Sequence, residues 1–138
     1  MLRLLSSLEP RQYEPQEYIF EQGEDVDEQV FVIRRDPTKL TTSQYCVGFK
    51  YDRRSKYFHV KLGPKTIICG YENLFGHKAE YTYKALSPVD AYGLRKSKLQ
   101  PLLVSEPYIR KLMCQYTLEY HHQIVRKPML AFKKNILS

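Results

Sequence analysis

The sequence predicts an α+β fold: an antiparallel, jelly-roll-like β-roll with a short helix before it and helices after it. Between residues 11 and 95, short β-branched and aromatic runs alternate with turn-forming residues. Beyond Gly93, apolar residues recur at helical spacing instead. With 138 residues and 43% hydrophobic content, the chain is long enough for one domain with its own core. We therefore expect a single domain over residues 1–138.

The first part of the chain predicts a short helix and then closely spaced strands. Leu5 and Leu8 belong to an apolar helical face over residues 1–10, and Pro10 should end that helix because proline cannot continue it. The β-roll should occupy residues 11–95. Its clearest strands are expected at 18–21, 29–34, 44–51 and 57–62. Two polar connections should join strands, an irregular loop at 36–43 and a hairpin turn at 52–55.

Residues 96–138 predict helices and a tail. Ser97 is a candidate N-cap for a first helix, and Glu106-Pro107 should restart the chain as a second one. Pro128 should break or kink that second helix, and the apolar tail 128–138 should fill a pocket or dock on another domain. The apolar stripe of the second helix consists of Ile109, Leu112, Met113 and Tyr116.

Composition excludes several classes of protein. The net charge of +7 comes from basic residues spread along the chain in pairs, which is typical of solvated surface, so nucleic acid is not an expected partner. Three scattered cysteines do not form a disulfide framework, which favours an intracellular, cytoplasmic location. No apolar run approaches the roughly 18 residues that span a bilayer, so a membrane role would require a larger parent protein.

The sequence contains no motif that predicts catalysis or metal binding. We find no nucleophile elbow, phosphate-binding loop or dinucleotide fingerprint, and we therefore expect a protein that is not an enzyme. His121 and His122 are adjacent, and neighbouring residues on a helix point in different directions. They therefore do not form the pair that a zinc site prefers, and no metal is expected.

The segment 14–24 carries a resemblance to a known family. Ile19-Phe20 is flanked by polar residues, and Gly23 can take the positive φ that a tight connection needs. This pattern resembles the opening of the cyclic-nucleotide-binding domain family, the regulatory β-roll of ion channels and kinase regulatory subunits. Members usually begin with Pro-Gly-Glu, whereas this chain has Pro15-Gln16-Glu17. The resemblance implies a phosphate-binding cassette between two strands.

Residues 70–85 resemble that cassette in frame. Gly70 and Leu74 match the family's glycine and leucine, and Thr82 and Ala85 match the end of the cassette. By resemblance, the second helix is the one that moves over the pocket when ligand binds. The residues that the resemblance implies as candidate ligand contacts are Gly70, Tyr71, Glu72, Asn73, Leu74, Lys78, Ala79, Glu80, Tyr81 and Thr82.

The ligand-binding positions depart from the family pattern. The glutamate position holds Tyr71, with Glu72 one residue late, and the arginine position falls on Ala79 or Glu80 depending on the direction of counting. A buried phosphate without its cation would face a large desolvation penalty, and a carboxylate there would repel it. Lys78 could supply only a point charge, without the fork geometry of arginine.

Three functions follow as expectations. The first is a non-catalytic regulatory or interaction module that does not bind cAMP or cGMP in the usual way and needs no cofactor. It would act on parent-protein domains or a protein partner, in a channel or another assembly, including a ciliary or cytoskeletal one. The second is a cyclic-nucleotide sensor that uses Lys78 and backbone amides. The third is a structural scaffold whose basic surface docks an acidic polymer.

Overall fold

Eight strands form two four-stranded antiparallel sheets within the residues that the computed structural model describes, which are 6–33, 47–50, 60–62, 65–128 and 130. The strands are β1 (Glu9–Tyr13), β2 (Tyr18–Phe20), β3 (Glu28–Val32), β4 (Val47–Lys50), β5 (Val60–Leu62), β6 (Ile67–Ile68), β7 (Thr82–Ala85) and β8 (Val89–Arg95). The first sheet has the order β1-β8-β3-β6 and the second has the order β2-β7-β4-β5.

Helices lie between β6 and β7 and after β8. They are α1 (Gly70–Phe75), α2 (Lys96–Ser105) and α3 (Pro107–Tyr120), and α3 runs directly into a π-helical segment, His121–Arg126. The predicted α+β class, with antiparallel strands followed by helices, is confirmed. The predicted loops 36–43 and 52–55 lie outside the described residues, and so does most of the predicted tail.

The main core lies between the two sheets. Val30 and Val32 of β3 enter it from the first sheet, and Phe49 and Tyr83 enter it from the second, each almost completely buried. Phe31 alternates with the two valines and therefore points to the opposite face of its sheet. That outer face has a smaller cluster of its own, formed by Leu94, Leu99 and Leu103 with Leu8, Phe31, Leu74 and Met113.

The prediction of a helix over residues 1–10 is wrong at its C-terminal end, because β1 begins at Glu9 and includes Pro10. Among the described strands, β1 pairs only with β8 and lies at the edge of its sheet. Proline is tolerated in edge strands because its missing N–H need not leave a gap in the ladder. The sequence predicts Pro10 as the end of a helix, whereas it is the second residue of the first strand.

Ser97 is not the N-cap of α2. The helix begins at Lys96, and Arg95, the last residue of β8, occupies the cap position. The amide of Lys96 donates a hydrogen bond to the carbonyl oxygen of Asp27 at 2.7 Å. This backbone contact satisfies one of the amide donors that have no partner within the helix.

The helix does not break at Pro128, although the sequence predicts a break there. Lys127, Pro128 and Leu130 have helical backbone, and the irregular part of the helix is the π segment that precedes them. A proline ring within a helix clashes with the carbonyl group four residues earlier, here that of Ile124. Ile124 belongs to the π segment, where the wider turn displaces that carbonyl group from its α-helical position.

Candidate functional site

The cassette forms a helix, a loop and a strand, as its resemblance implies. α1 begins at Gly70, directly after Cys69, whose φ of 61° is left-handed. It ends at Phe75 and is followed by Gly76, which is also left-handed. Candidate residues 70–74 lie on α1, Lys78 and Ala79 lie in the loop, and Glu80 and Tyr81 precede β7. Thr82 is the first residue of β7. The helix, loop and strand that the resemblance implies for residues 70–85 are therefore present in this order.

The loop of the cassette is fixed to the turn that follows β2. Ala79 donates its amide to the carbonyl oxygen of Glu24 at 2.9 Å, and its own carbonyl accepts the amide of Gly23 at 2.8 Å. The backbone of Lys78 forms an isolated β-bridge with that of Asp25, and Lys78 is exposed. Gly23 has a φ of 88°, so its predicted positive φ is confirmed. These two carbonyl–amide pairs fix the position of the loop against the turn.

Glu72 is buried beneath the cassette, with 1% of its surface exposed. Its Oε2 accepts hydrogen bonds from the Cys69 thiol at 3.4 Å and from the backbone amide of Glu80 at 3.2 Å. Burial, followed by the charge of Glu72, raises the pKa of the Cys69 thiol, which therefore stays protonated and able to donate. Within the described part of the chain, Oε1 of Glu72 has no hydrogen-bond partner.

Asn73 is the second buried polar residue of α1. Its Nδ2 donates to Oε1 of Gln29 at 3.1 Å and to the carbonyl oxygen of Leu94 at 3.4 Å. Both acceptors belong to strands of the first sheet, so Asn73 joins α1 to β3 and β8. Glu72 and Asn73 are thus structural anchors of the cassette helix in this conformation.

The carboxylate of Glu80 contacts an imidazole and a guanidinium from the π segment. Nε2 of His121 lies 2.8 Å from Oε2 of Glu80, and Arg126 donates from Nε to Oε1 at 3.0 Å and from Nη2 to Oε2 at 3.3 Å. Burial alone would raise the pKa of Glu80, but the hydrogen bonds from His121 and Arg126 outweigh it and hold that pKa at about 2. We call Glu80, His121 and Arg126 the clasp.

Tyr71 of α1 packs against the clasp. Its ring is stacked on His121, with centroids 4.3 Å apart and planes 8° apart, and it also stacks on His77 at 5.2 Å. The guanidinium carbon of Arg126 lies 5.1 Å from the centroid of the Tyr71 ring, within the range of a cation–π contact. The residue at the family's glutamate position thus contacts the C-terminal helix of its own chain.

The π register explains how both partners reach Glu80. In an α-helix, residues five apart lie about 140° apart around the axis, so His121 and Arg126 would face different directions. The longer π turn brings residues five apart closer to one side. His121 is buried while His122 is exposed, which confirms that the adjacent histidines point apart. Among the described residues, no group of three or more His, Cys, Asp or Glu side chains could hold a metal ion.

The predicted switch helix α3 is only lightly attached to the roll. None of its side chains is buried, although Ile109 and Met113 are partly covered. At its end, the hydroxyl of Tyr120 accepts the amide of Ile67 in edge strand β6 at 2.9 Å. Leu112, Met113 and Tyr116 line a cavity between α3 and the outer face of the first sheet.

Sequence reasoning missed His121 and Arg126 as partners of the cassette. The available signal was an unexpected carboxylate, Glu80, at one of the two candidate arginine positions, together with basic residues near the end of the C-terminal helix. The two partners are 41 and 46 residues from Glu80 in the chain, and no local pattern connects them. Arg126 is one of the paired basic residues that are typical of solvated surface, so the sequence does not mark it as a partner of the cassette.

The fold is similar to that of solved cyclic-nucleotide-binding regulatory domains. The cAMP-bound PfPKA-R superposes with a TM-score of 0.57 and 16% identity, over 70% of this chain and 32% of that one. The N-terminal domain of a transcriptional regulator from Streptomyces coelicolor A3(2) superposes with a TM-score of 0.62 and 19% identity. The match covers 91% of this chain and 83% of that one. A proposed cAMP-binding regulatory protein from Silicibacter pomeroyi DSS-3 superposes with a TM-score of 0.65 and 18% identity. The match covers 90% of this chain and 53% of that one.

These likenesses show the fold alone, because all three identities are below 25%. The chain spans 32% of the PfPKA-R chain and 53% of the Silicibacter chain, which are therefore considerably longer. No protein-family model matches the chain, and no curated protein matches it in sequence. Within the described residues, no helix is long and apolar enough to cross a membrane.

Proposed function

We propose that this domain is a non-catalytic regulatory module whose cassette is held by its own C-terminal helix instead of by a cyclic nucleotide. The observation that carries the proposal is the pairing of Glu80 with His121 and Arg126. In place of an arginine that would attract a phosphate, one of the two candidate positions presents a carboxylate. Its charge is already neutralised by a guanidinium from the same chain.

The other carboxylate of the cassette strengthens this proposal. Glu72 is buried with one oxygen unpartnered among the described residues, so an anion nearby would add repulsion to an existing desolvation cost. Lys78, the candidate replacement cation, is exposed in a loop whose backbone is fixed to the turn after β2. Neither feature provides the buried, forked cation that a cyclic phosphate requires.

The module would act on other domains of a longer protein or on a protein partner inside the cell. Two of the similar chains are much longer than this one, as expected if such domains regulate what is attached to them. The readout would be the position of α3 and the π segment, because the clasp connects them directly to the cassette.

Thermal unfolding of the protein with and without millimolar cAMP or cGMP tests this proposal. A ligand that binds the folded state raises the unfolding temperature by mass action, so we expect no shift with either nucleotide. A shift of several degrees that Lys78→Ala abolishes would instead establish a nucleotide sensor. Lys111→Ala, at an exposed position of α3, is the matched control for the loss of one positive charge.

A further inference from the structure

A cavity of about 310 Å³ lies between α3 and the outer face of the first sheet. Its floor includes Phe31 and Leu94, which belong to the smaller core cluster on that face. Val30 and Val32 lie on the opposite face of β3, inside the roll. The cavity therefore lies outside the roll, and it borders the clasp at Tyr71, which lines the cavity and stacks on His121.

The size and walls of the cavity suit a small molecule. Its volume falls at the lower end of the range for ligand pockets and could hold about ten waters at liquid density. None of the described residues that line it is charged, and most are aliphatic or aromatic. Water in such a space makes few hydrogen bonds, so an apolar occupant would displace it at a gain in free energy.

Two of the polar residues that line the cavity, Gln29 and Tyr120, have an acceptor already in use and a donor that remains available. Gln29 is 6% exposed, and its Oε1 already accepts from Asn73, which leaves the Nε2 amide. Gly70 also lines the cavity, and the Nε2 of Gln29 lies next to it, 3.8 Å from the position that a Cβ on Gly70 would occupy. The Tyr120 hydroxyl accepts from Ile67, so its own proton remains available to donate. Burial raises the pKa of Tyr120, which keeps the hydroxyl protonated.

We propose that this cavity binds a neutral, mostly apolar small molecule that carries a hydrogen-bond acceptor such as a ketone or ester carbonyl oxygen. An acceptor satisfies the donors of Gln29 and Tyr120, whereas a ligand that carries only donors would leave them unpaired. A carboxylate or phosphate ligand does not fit, because no lining cation would compensate for its desolvation.

The occupant would act by stabilising α3 in its docked position. None of the α3 side chains is buried, and Leu112 and Tyr116 remain 47% and 60% exposed while lining the cavity. A ligand beneath them would supply the missing contacts. This site goes beyond the proposed function, and it does not depend on whether the cassette binds a nucleotide.

The probe for the test is Prodan, a neutral naphthalene dye with a single ketone. Titration of the full chain should give one saturable site per molecule and blue-shifted emission. Thr117 lines the cavity, so Thr117→Phe should fill it and weaken binding about tenfold or more, while Thr117→Val should bind as the unmodified chain does. Thermal unfolding of both variants shows whether each is folded.

A second comparison tests the acceptor. Gln29→Met removes the amide donor and should weaken Prodan binding, but it should not weaken binding of the same dye without its propionyl group. Absence of saturable binding, or equal binding by folded Thr117→Phe, would overturn the proposal. An excess of cAMP or cGMP should leave Prodan bound. If a nucleotide raises the unfolding temperature while Prodan stays bound, the proposed function fails and the cavity site stands.

Discussion

Glu80 determines how the cassette of this domain is held. Its carboxylate contacts an imidazole and a guanidinium from the π segment, all at hydrogen-bonding distance. An arginine at this position would meet Arg126 with a like charge and could not form the clasp. A single carboxylate at one candidate arginine position thus changes both the ligand chemistry of the site and its contact with the C-terminal helix.

Glu80→Gln should lower the free energy of unfolding by roughly 1–2 kcal/mol in neutral buffer, because it removes the charge from a bidentate pair that is only partly exposed. Urea denaturation measures the change. Glu119→Gln, at an exposed position of α3, is the matched control and should change stability by much less. If the two substitutions lowered the free energy of unfolding equally, the clasp would stabilise the fold no more than an exposed carboxylate does.

The same variant isolates the acid dependence of the clasp. The folded-state pKa of Glu80, about 2, is below its ordinary value of 4.5, so its contribution to stability is present above about pH 4.5 and is lost as the pH falls towards 2. The stability difference between the unmodified chain and Glu80→Gln should therefore shrink between about pH 6 and about pH 3. A difference that stays constant over that range would contradict the assigned role.

At the scale of elements, α2 and α3 are held very differently. Leu99 and Leu103 of α2 are buried on the outer face of the first sheet, whereas α3 buries none of its side chains. We expect the amides in the middle of α3 to exchange hydrogen faster than those of α2, because α3 can open without exposing a core. Hydrogen exchange followed by mass spectrometry measures this. Equal protection of the two helices would show that α3 is part of the cooperative core.

Elements whose signals are local were predictable from the sequence. Val30 and Phe31 lie in a β-prone run that became β3, and the cassette helix begins at Gly70, the position of the family's glycine. Gln16, which replaces the family's glycine, has a φ of 74°, so the backbone kept the conformation that glycine would favour. Turn geometry and periodicity are properties of neighbouring residues, which explains why these predictions agree with the structure.

Features that depend on distant residues were not predictable in the same way. Pro10 lies in a strand because β8 pairs beside it and leaves it at the edge, which its local sequence does not reveal. The clasp requires a π segment that changes the register between His121 and Arg126, and the apolar spacing of α3 gives no sign of that change. The secondary structure of residues 70–85 was thus predictable, whereas the contacts of Glu80 with His121 and Arg126 were not.

At the scale of the whole molecule, the clasp and the cavity share two physical connections. Tyr71 lines the cavity and also stacks on His121 of the clasp. Tyr120 lines the cavity, bonds to the edge of the first sheet, and precedes His121 in the chain. A change at either site therefore reaches the other through one ring stack and one helical junction.

This arrangement predicts energetic coupling between the two sites. Glu80→Gln should weaken Prodan binding by about threefold or more, because loss of the clasp frees the end of α3 that carries Tyr120. Glu119→Gln is again the control and should leave the affinity unchanged. Coupling is reciprocal, so saturating dye should stabilise the unmodified chain more than the Glu80→Gln variant. If Prodan binds both chains equally while Glu80→Gln still lowers stability, then the clasp holds the cassette without controlling the position of α3.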